Sequence, residues 1–240
     1  MTELLITREG TLTRLTLNRA AKANALSAEL VEALLAALDA AHRDGTRLLV
    51  LQGDGKHFCA GFDFSGFENL SEGDLALRFI RIETLLQVLY HAPFATLALA
   101  HGRVFGAGAD LVACCHTRIA APGTTFRMPG LRFGVVLGTQ RLAQRIGGGR
   151  ARELLAASST FDAEEAQRKD FVNQIIDRPS WPDVVNAALA TAQTLTAEAA
   201  AALNQQTTPD TRADDMAALA RSVSTPGLKQ RIAIYRNNSH

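Results

Sequence analysis

Only three of the 240 residues are cysteine: Cys59, Cys114 and Cys115. An odd number, with two adjacent, does not make a disulfide framework and fits reduced thiols in a cytoplasmic protein. Zinc-ligand spacing is missing as well, since Cys59 has only His57 nearby, so no metal is expected. Neither sign of charge is in excess: 25 Lys and Arg face 24 Asp and Glu, for a formal net charge of +1. Without a dense basic run, nucleic acid is not an expected partner. No apolar stretch reaches membrane-spanning length, and the N-terminus lacks a charged-then-apolar signal pattern. The C-terminal Asn238-Ser239-His240 is not a peroxisomal address. No internal repeat or low-complexity segment stands out. These absences leave a chain long enough for one sizeable core with a helical appendage.

Two small-residue turns dominate what is present. Phe58-Cys59-Ala60-Gly61-Phe62-Asp63 and Gly102-Arg103-Val104-Phe105-Gly106-Ala107-Gly108-Ala109-Asp110 each follow a strand-like apolar run. A backbone N–H reaches a bound oxygen only where no bulky side chain intervenes, and Ala and Gly meet that condition. A helix opening at Ala107 would add free N–H groups and a dipole that favours negative charge. One N–H from each turn would make an oxyanion hole. The competing reading is two ordinary strand-to-helix turns.

The pattern along the chain is strands mixed with helices, then helices alone. Leu4 to Arg8 and Thr11 to Leu17 form a hairpin around Glu9-Gly10. Ser27 caps a helix that buries Leu30, Val31, Leu34, Leu35 and Leu38, with Gly45 beyond its end. Arg47 to Gln52 is a strand and Asp74 to Tyr90 a helix. The nearly unbroken apolar run Phe94 to Ala100 is a buried strand. A helix from Ala107 to about Cys115 and a short strand near Arg118 to Ala121 follow. Beyond Gly138 the rest reads as helical, broken at glycines and prolines. The expectation is an α/β core over residues 1–180 and a helical region over 181–240.

Several segments in order resemble the crotonase superfamily, the enoyl-CoA hydratase/isomerase family. Leu17-Asn18-Arg19-Ala20-Ala21-Lys22-Ala23-Asn24-Ala25-Leu26 is similar to that family's LNRP-x-x-x-NAL segment. The turns at Ala60 to Asp63 and Gly106 to Gly108, then Gly138-Thr139-Gln140-Arg141-Leu142 and Asp162 to Ala166, continue the resemblance. It implies a β-β-α superhelix core, a C-terminal helical trimerisation region and a homotrimer or dimer of trimers. It also implies an acyl-CoA thioester as substrate, with coenzyme A entering as part of it and no prosthetic group. The implied oxyanion donors are the N–H groups of Ala60 and Ala107. The implied coenzyme A cradle involves Asn24, Ala25, Leu26 and Ala60, Gly61, Phe62 and Asp63. Lys22 is either a phosphate contact or a solvated surface lysine.

The acid/base positions depart from the family's hydratases, which hold one water between two glutamates. The first glutamate falls at Asp110, one methylene shorter, which can move the oxygen by more than about 1 Å. The second falls at Gly130, which has no side chain to do acid/base work. The loop from Gly134 to Gly138 is also shorter than the family's, and no carboxylate lies between Asp110 and Glu153. A single carboxylate still permits isomerase-like proton shuttling, which is the preferred expectation. The alternatives are a hydratase with a non-standard second acid and an acyl-CoA-binding protein without activity. The competing reading of Asp110 is a first-turn acid serving the helix dipole. Asp63 is expected to order its own turn. His57 and His101 are expected to be structural, and His116 to serve the carbonyls at its helix end. Cys114 and Cys115 read as buried small residues, and Phe62, Phe64, Phe67 and Phe133 as core or acyl-pocket wall.

Overall fold

The computed structural model describes residues 2–238, so Ser239 and His240 of the C-terminal tripeptide lie outside them. Strands β1 (Leu4–Glu9) and β2 (Leu12–Leu17) form the expected hairpin. Helix α1 (Ala28–Ala41) follows, and the Ser27 side chain accepts the Leu30 N–H as its cap. Then come β3 (Leu48–Gly53) and α2 (Glu72–Tyr90). Helix α2 starts two residues earlier than read, because Ser71 and Asp74 form a reciprocal capping box. Strands β4 (Ala95–Ala100) and β5 (Arg103–Phe105) lead into α3 (Ala107–Cys114), followed by β6 (Thr117–Ala120) and β7 (Thr125–Arg127). Next are α4 (Thr139–Ile146), α5 (Gly148–Ala157), β8 (Phe161–Asp162), α6 (Ala163–Arg168) and β9 (Gln174–Ile175). Helices α7 (Trp181–Gln193), α8 (Ala197–Thr207), α9 (Arg212–Ser224) and α10 (Leu228–Asn237) close the chain.

The larger sheet runs β1-β2-β3-β4-β6-β9, parallel from β2 onwards, and a smaller sheet runs β5-β7-β8. Alternation along β3 and β4 explains why their sequences are apolar at nearly every position. Leu49, Leu51, Ala98 and Ala100 enter the main core, while Leu48, Val50, Leu97 and Leu99 face a second apolar cluster closed by Trp181 and Val185 of α7. A parallel sheet covered on both faces requires that pattern.

The reading of residues beyond Gly138 as wholly helical is corrected by β8 and β9, and β5 and β7 also escaped it. Each of these strands is two or three residues long. That is too short for a periodicity to register. Their function is positional: β5 and β7 pair in register, Phe105 opposite Arg127, and so fix the turn that starts α3. No described helix is long and apolar enough to cross a membrane.

Candidate active site

The two glycine-bearing turns pack directly on one another. Gly61 has φ +85°, and a Cβ there would lie 2.6 Å from the Phe105 carbonyl oxygen and 3.1 Å from the Ala107 nitrogen. Only glycine allows that approach. Gly108 is held as closely, since a Cβ on it would meet the Cys59 carbonyl oxygen at 2.5 Å. Cys59 and Val104 complete the seam with a parallel bridge.

The donors at this seam differ from expectation at one position. The Ala60 N–H already donates to the Ala23 carbonyl at 2.9 Å, so it is not free to bind a ligand. Leu26 and Phe62 form a parallel bridge in which Leu26 N–H donates to the Gly61 carbonyl and Asp63 N–H to the Leu26 carbonyl. The intervening Phe62 N–H points away from that pairing and finds no acceptor among the described residues. Ala107 N–H, at the first position of α3, has none either. The free pair beside the cavity is therefore Phe62 and Ala107. The family resemblance had suggested Ala60, but the register of the bridge decides which N–H turns inward.

The surrounding turn is braced internally. Asn24, fully buried, accepts the Arg19 N–H and donates to the Asp54 and His57 carbonyls. Its side chain is thus committed to the fold. Ala25 and Leu26 are buried, and Lys22 is exposed with no ion pair among the described residues. Asp63 orders its own turn by accepting the Ser65 N–H, and it pairs with Arg19 at 2.9 Å. Burial pushes its carboxyl up, but the Ser65 and Arg19 contacts outweigh that and hold it below the ordinary aspartate value.

Asp110 lies in the first turn of α3 and is 3% exposed. Its Oδ1 is buried without a hydrogen-bond partner among the described residues. Gly138, at the start of α4, is pressed against it: a Cβ at Gly138 would fall 1.8 Å from Oδ1. Burial raises the Asp110 carboxyl to about 8; Arg141 opposes the rise, and Glu83 and Asp215 add to it. A first-turn acid serving only the helix dipole would normally sit in water and remain ionised. This carboxyl is instead buried, and burial opposes its ionisation.

Asp110 faces a cavity of about 110 Å³ shared with Ala60, Phe62, Ala107, Met128 and Gly130. Among the described lining residues, Asp110 is the one carboxylate. Gly130 also borders the cavity, and a Cβ there would approach the Val135 carbonyl to 3.0 Å. Aromatic rings form much of the remaining wall. Phe62 stacks on Phe79 at 4.3 Å, and Phe133 meets Phe64 at 6.0 Å and Tyr235 at 5.0 Å. Phe67 is buried but does not line the cavity. Phe79, Arg127 and Tyr235 also border it and were not singled out from the sequence. Phe79 looks like any core position of an amphipathic helix, and Tyr235 arrives from the far end of the chain.

The histidines and cysteines lie outside this chemistry. His57 accepts the Arg103 N–H, and His101 contacts the Gly55 carbonyl. His116 does not serve the end of α3: its Nδ1 accepts the Thr96 N–H, and burial pushes its pKa down to about 4. Arg118 and Arg145 bind the carbonyls of Ala113, Cys115 and His116 instead. Burial pushes the thiols of Cys59 and Cys115 up to about 12 and raises that of Cys114 too. Among the described residues, no group of three His, Cys, Asp or Glu is placed to hold a metal.

A parallel-sheet core with two interlocked glycine turns, free N–H donors and one carboxylate on the cavity wall is an arrangement suited to holding a polarised carbonyl oxygen. The chain belongs to the enoyl-CoA hydratase/isomerase family, whose model matches residues 7–225. It is 31% identical over 182 residues to a probable enoyl-CoA hydratase of Mycobacterium tuberculosis, covering 73% of each chain. A probable enoyl-CoA hydratase of Bacillus subtilis is 34% identical over 149 residues, 60% of this chain and 58% of that one. Among solved structures, an enoyl-CoA hydratase/isomerase candidate from Bordetella parapertussis superposes with a TM-score of 0.97 at 48% identity. That match covers 98% of this chain and 99% of the other.

Proposed function

We propose that the protein transforms acyl-CoA thioesters through an enolate, with Asp110 as the single proton-transfer residue and a reaction of the isomerase type. The observation that carries this reading is the lone buried carboxylate in a cavity that also borders the free N–H groups of Phe62 and Ala107. The thioester oxygen would accept both N–H groups, each worth roughly 3 kcal/mol as charge develops on it. Ionised Asp110 takes a proton from C2 of a 3-enoyl thioester. The C2–H electron pair moves into the C1–C2 bond, and the thioester oxygen gains the negative charge of a dienolate. Asp110 returns the proton to C4, and the double bond ends between C2 and C3. No water or redox partner is consumed. A carboxyl with a pKa of about 8 is a far stronger base than an ordinary aspartate and suits proton transfer near neutral pH.

Hydration is the second reading, favoured by the names of relatives such as the crotonyl-CoA hydratase of Syntrophomonas wolfei, 30% identical over 178 residues. It needs a second acid opposite Asp110, from outside the described lining. The coenzyme A cradle at residues 24–26 and 60–63, the Lys22 phosphate contact, the boundary near residue 180 and trimerisation through the last helices remain part of the proposal. Incubation with 3-enoyl-CoA and 2-enoyl-CoA, followed by chromatography of both products, tests it. Isomerisation without hydration supports the single-acid reading. Hydration alone overturns it, and binding without conversion favours a protein that only holds acyl-CoA.

A further inference from the structure

Four phenylalanines on the cavity wall form a closed circuit. Between ring centroids, Phe62 lies 4.3 Å from Phe79, Phe79 6.3 Å from Phe133, Phe133 6.0 Å from Phe64, and Phe64 5.0 Å from Phe62. All four border the cavity. Rings at such spacings are in contact, so an alkyl chain cannot pass between neighbours without displacing one. The rings come from the turn after Gly61, from α2 and from the short turn Gly130–Phe133. Helix periodicity aims Phe79 at this circuit, because it shares the buried face of α2 with Leu75, Ile82 and Leu86. At 2% exposure Phe79 is the least exposed of the four. Two of the rings are also backed by cations: the Arg78 guanidinium lies 4.3 Å from Phe62 and that of Arg236 5.8 Å from Phe64.

We infer that Phe79 sets the length of acyl chain the site accepts, and that the substrates are short-chain acyl-CoA thioesters of about four carbons. This inference rests on reading the cavity as the acyl site of a CoA thioester. The size follows from volume. An apolar cavity of about 150 Å³ takes one benzene ring, so the 110 Å³ here matches about four carbons by the same measure. A butenoyl group, the shortest on which a proton can pass from C2 to C4, is of that size. A longer chain has to push a ring that is already packed against its neighbours, and overfilling a packed interior is unfavourable. Phe79 is the ring to yield first when truncated, since it joins Phe62 to Phe133 and its removal breaks the circuit between them. It takes no part in proton transfer. Its effect is on which thioesters fit.

Calorimetric titration of the full chain with saturated butyryl-, hexanoyl-, octanoyl- and decanoyl-CoA reads binding without turnover, so the result does not depend on Asp110. In an open apolar channel each added methylene tightens binding about fourfold. Wild type should instead lose affinity from butyryl- to octanoyl-CoA, by about tenfold or more. Phe79→Ala opens the wall and should reverse the order, with octanoyl-CoA bound about tenfold or more tighter than butyryl-CoA. Phe79→Leu, a milder loss to the core, should move the preference the same way by a smaller step. Each ratio is taken within one protein, so a general loss of stability or of CoA affinity does not imitate the effect. Affinity that climbs with length through decanoyl-CoA in wild type overturns the inference. So does an unaltered preference in folded Phe79→Leu, and failure of both variants to fold would make the ring structural only. Short-chain preference without conversion of any enoyl-CoA sinks the proposed reaction and leaves the inference standing. If no CoA thioester binds, both fail.

Discussion

Asp110→Asn tests the site through stability and turnover at once. Carrying the carboxyl from the ordinary 3.8 to about 8 is worth on the order of 5 kcal/mol against its ionised form in the fold. Between those two values the folded chain holds a proton that the unfolded chain has released. Wild-type stability therefore falls as pH rises from about 4 to about 8, and it levels off above the folded value. The asparagine variant has no such proton. Whatever offset the amide introduces, the variant should gain on wild type by roughly 4 kcal/mol between pH 5 and pH 8. Urea titrations of both proteins across that range measure the gap without extrapolating absolute stabilities. Because the backbone donors remain, binding of CoA thioesters should survive while turnover of a 3-enoyl-CoA falls about 100-fold or more. A gap that stays flat with pH would refute the claim that Asp110 is buried protonated. Undiminished turnover would reduce it to a helix-terminus acid.

The remaining predictions concern the same few atoms. If ionised Asp110 is the base, kcat/KM should rise about tenfold per pH unit below about 8 and level off above it; a rate that falls through that region would make the protonated acid the active form. Gly138→Ala forces a Cβ against Asp110 at a φ of +66°; turnover should drop at least tenfold, and double-mutant analysis with Asp110→Ala should show strong coupling, since the smaller residue removes the clash. Ala107→Pro deletes one oxyanion donor at a helix position where proline is tolerated; kcat should fall by roughly two to three orders of magnitude with the helix content retained, and an unchanged kcat would remove Ala107 from the site.

The legible and illegible parts of this chain divide by the range of the interaction involved. The buried strand Ala95–Ala100 and the helix capped by Ser27 were written in local pattern, because burial on both faces and a side-chain cap each leave a mark within a few residues. The small-residue turns were equally visible, since glycine is required where two backbones touch. Which N–H of the first turn is free was not visible. That depends on the bridge between Leu26 and Phe62, thirty-six residues apart, and on the Ala23 carbonyl claiming Ala60. The wall of the cavity is of the same kind, since Phe79 and Tyr235 meet Phe133 only after α2 and α10 have packed. The state of Asp110 is the extreme case. An aspartate in the first turn of a helix carries no mark of whether water reaches it. Here α4 closes over it at Gly138, and that helix is held in turn by Arg141, which binds Glu83 of α2 and Asp215 of α9. The chain thus encodes the position of its acid locally and the strength of that acid globally. Substitutions that loosen the closure of α4 over Asp110 should therefore change the pH at which the site works.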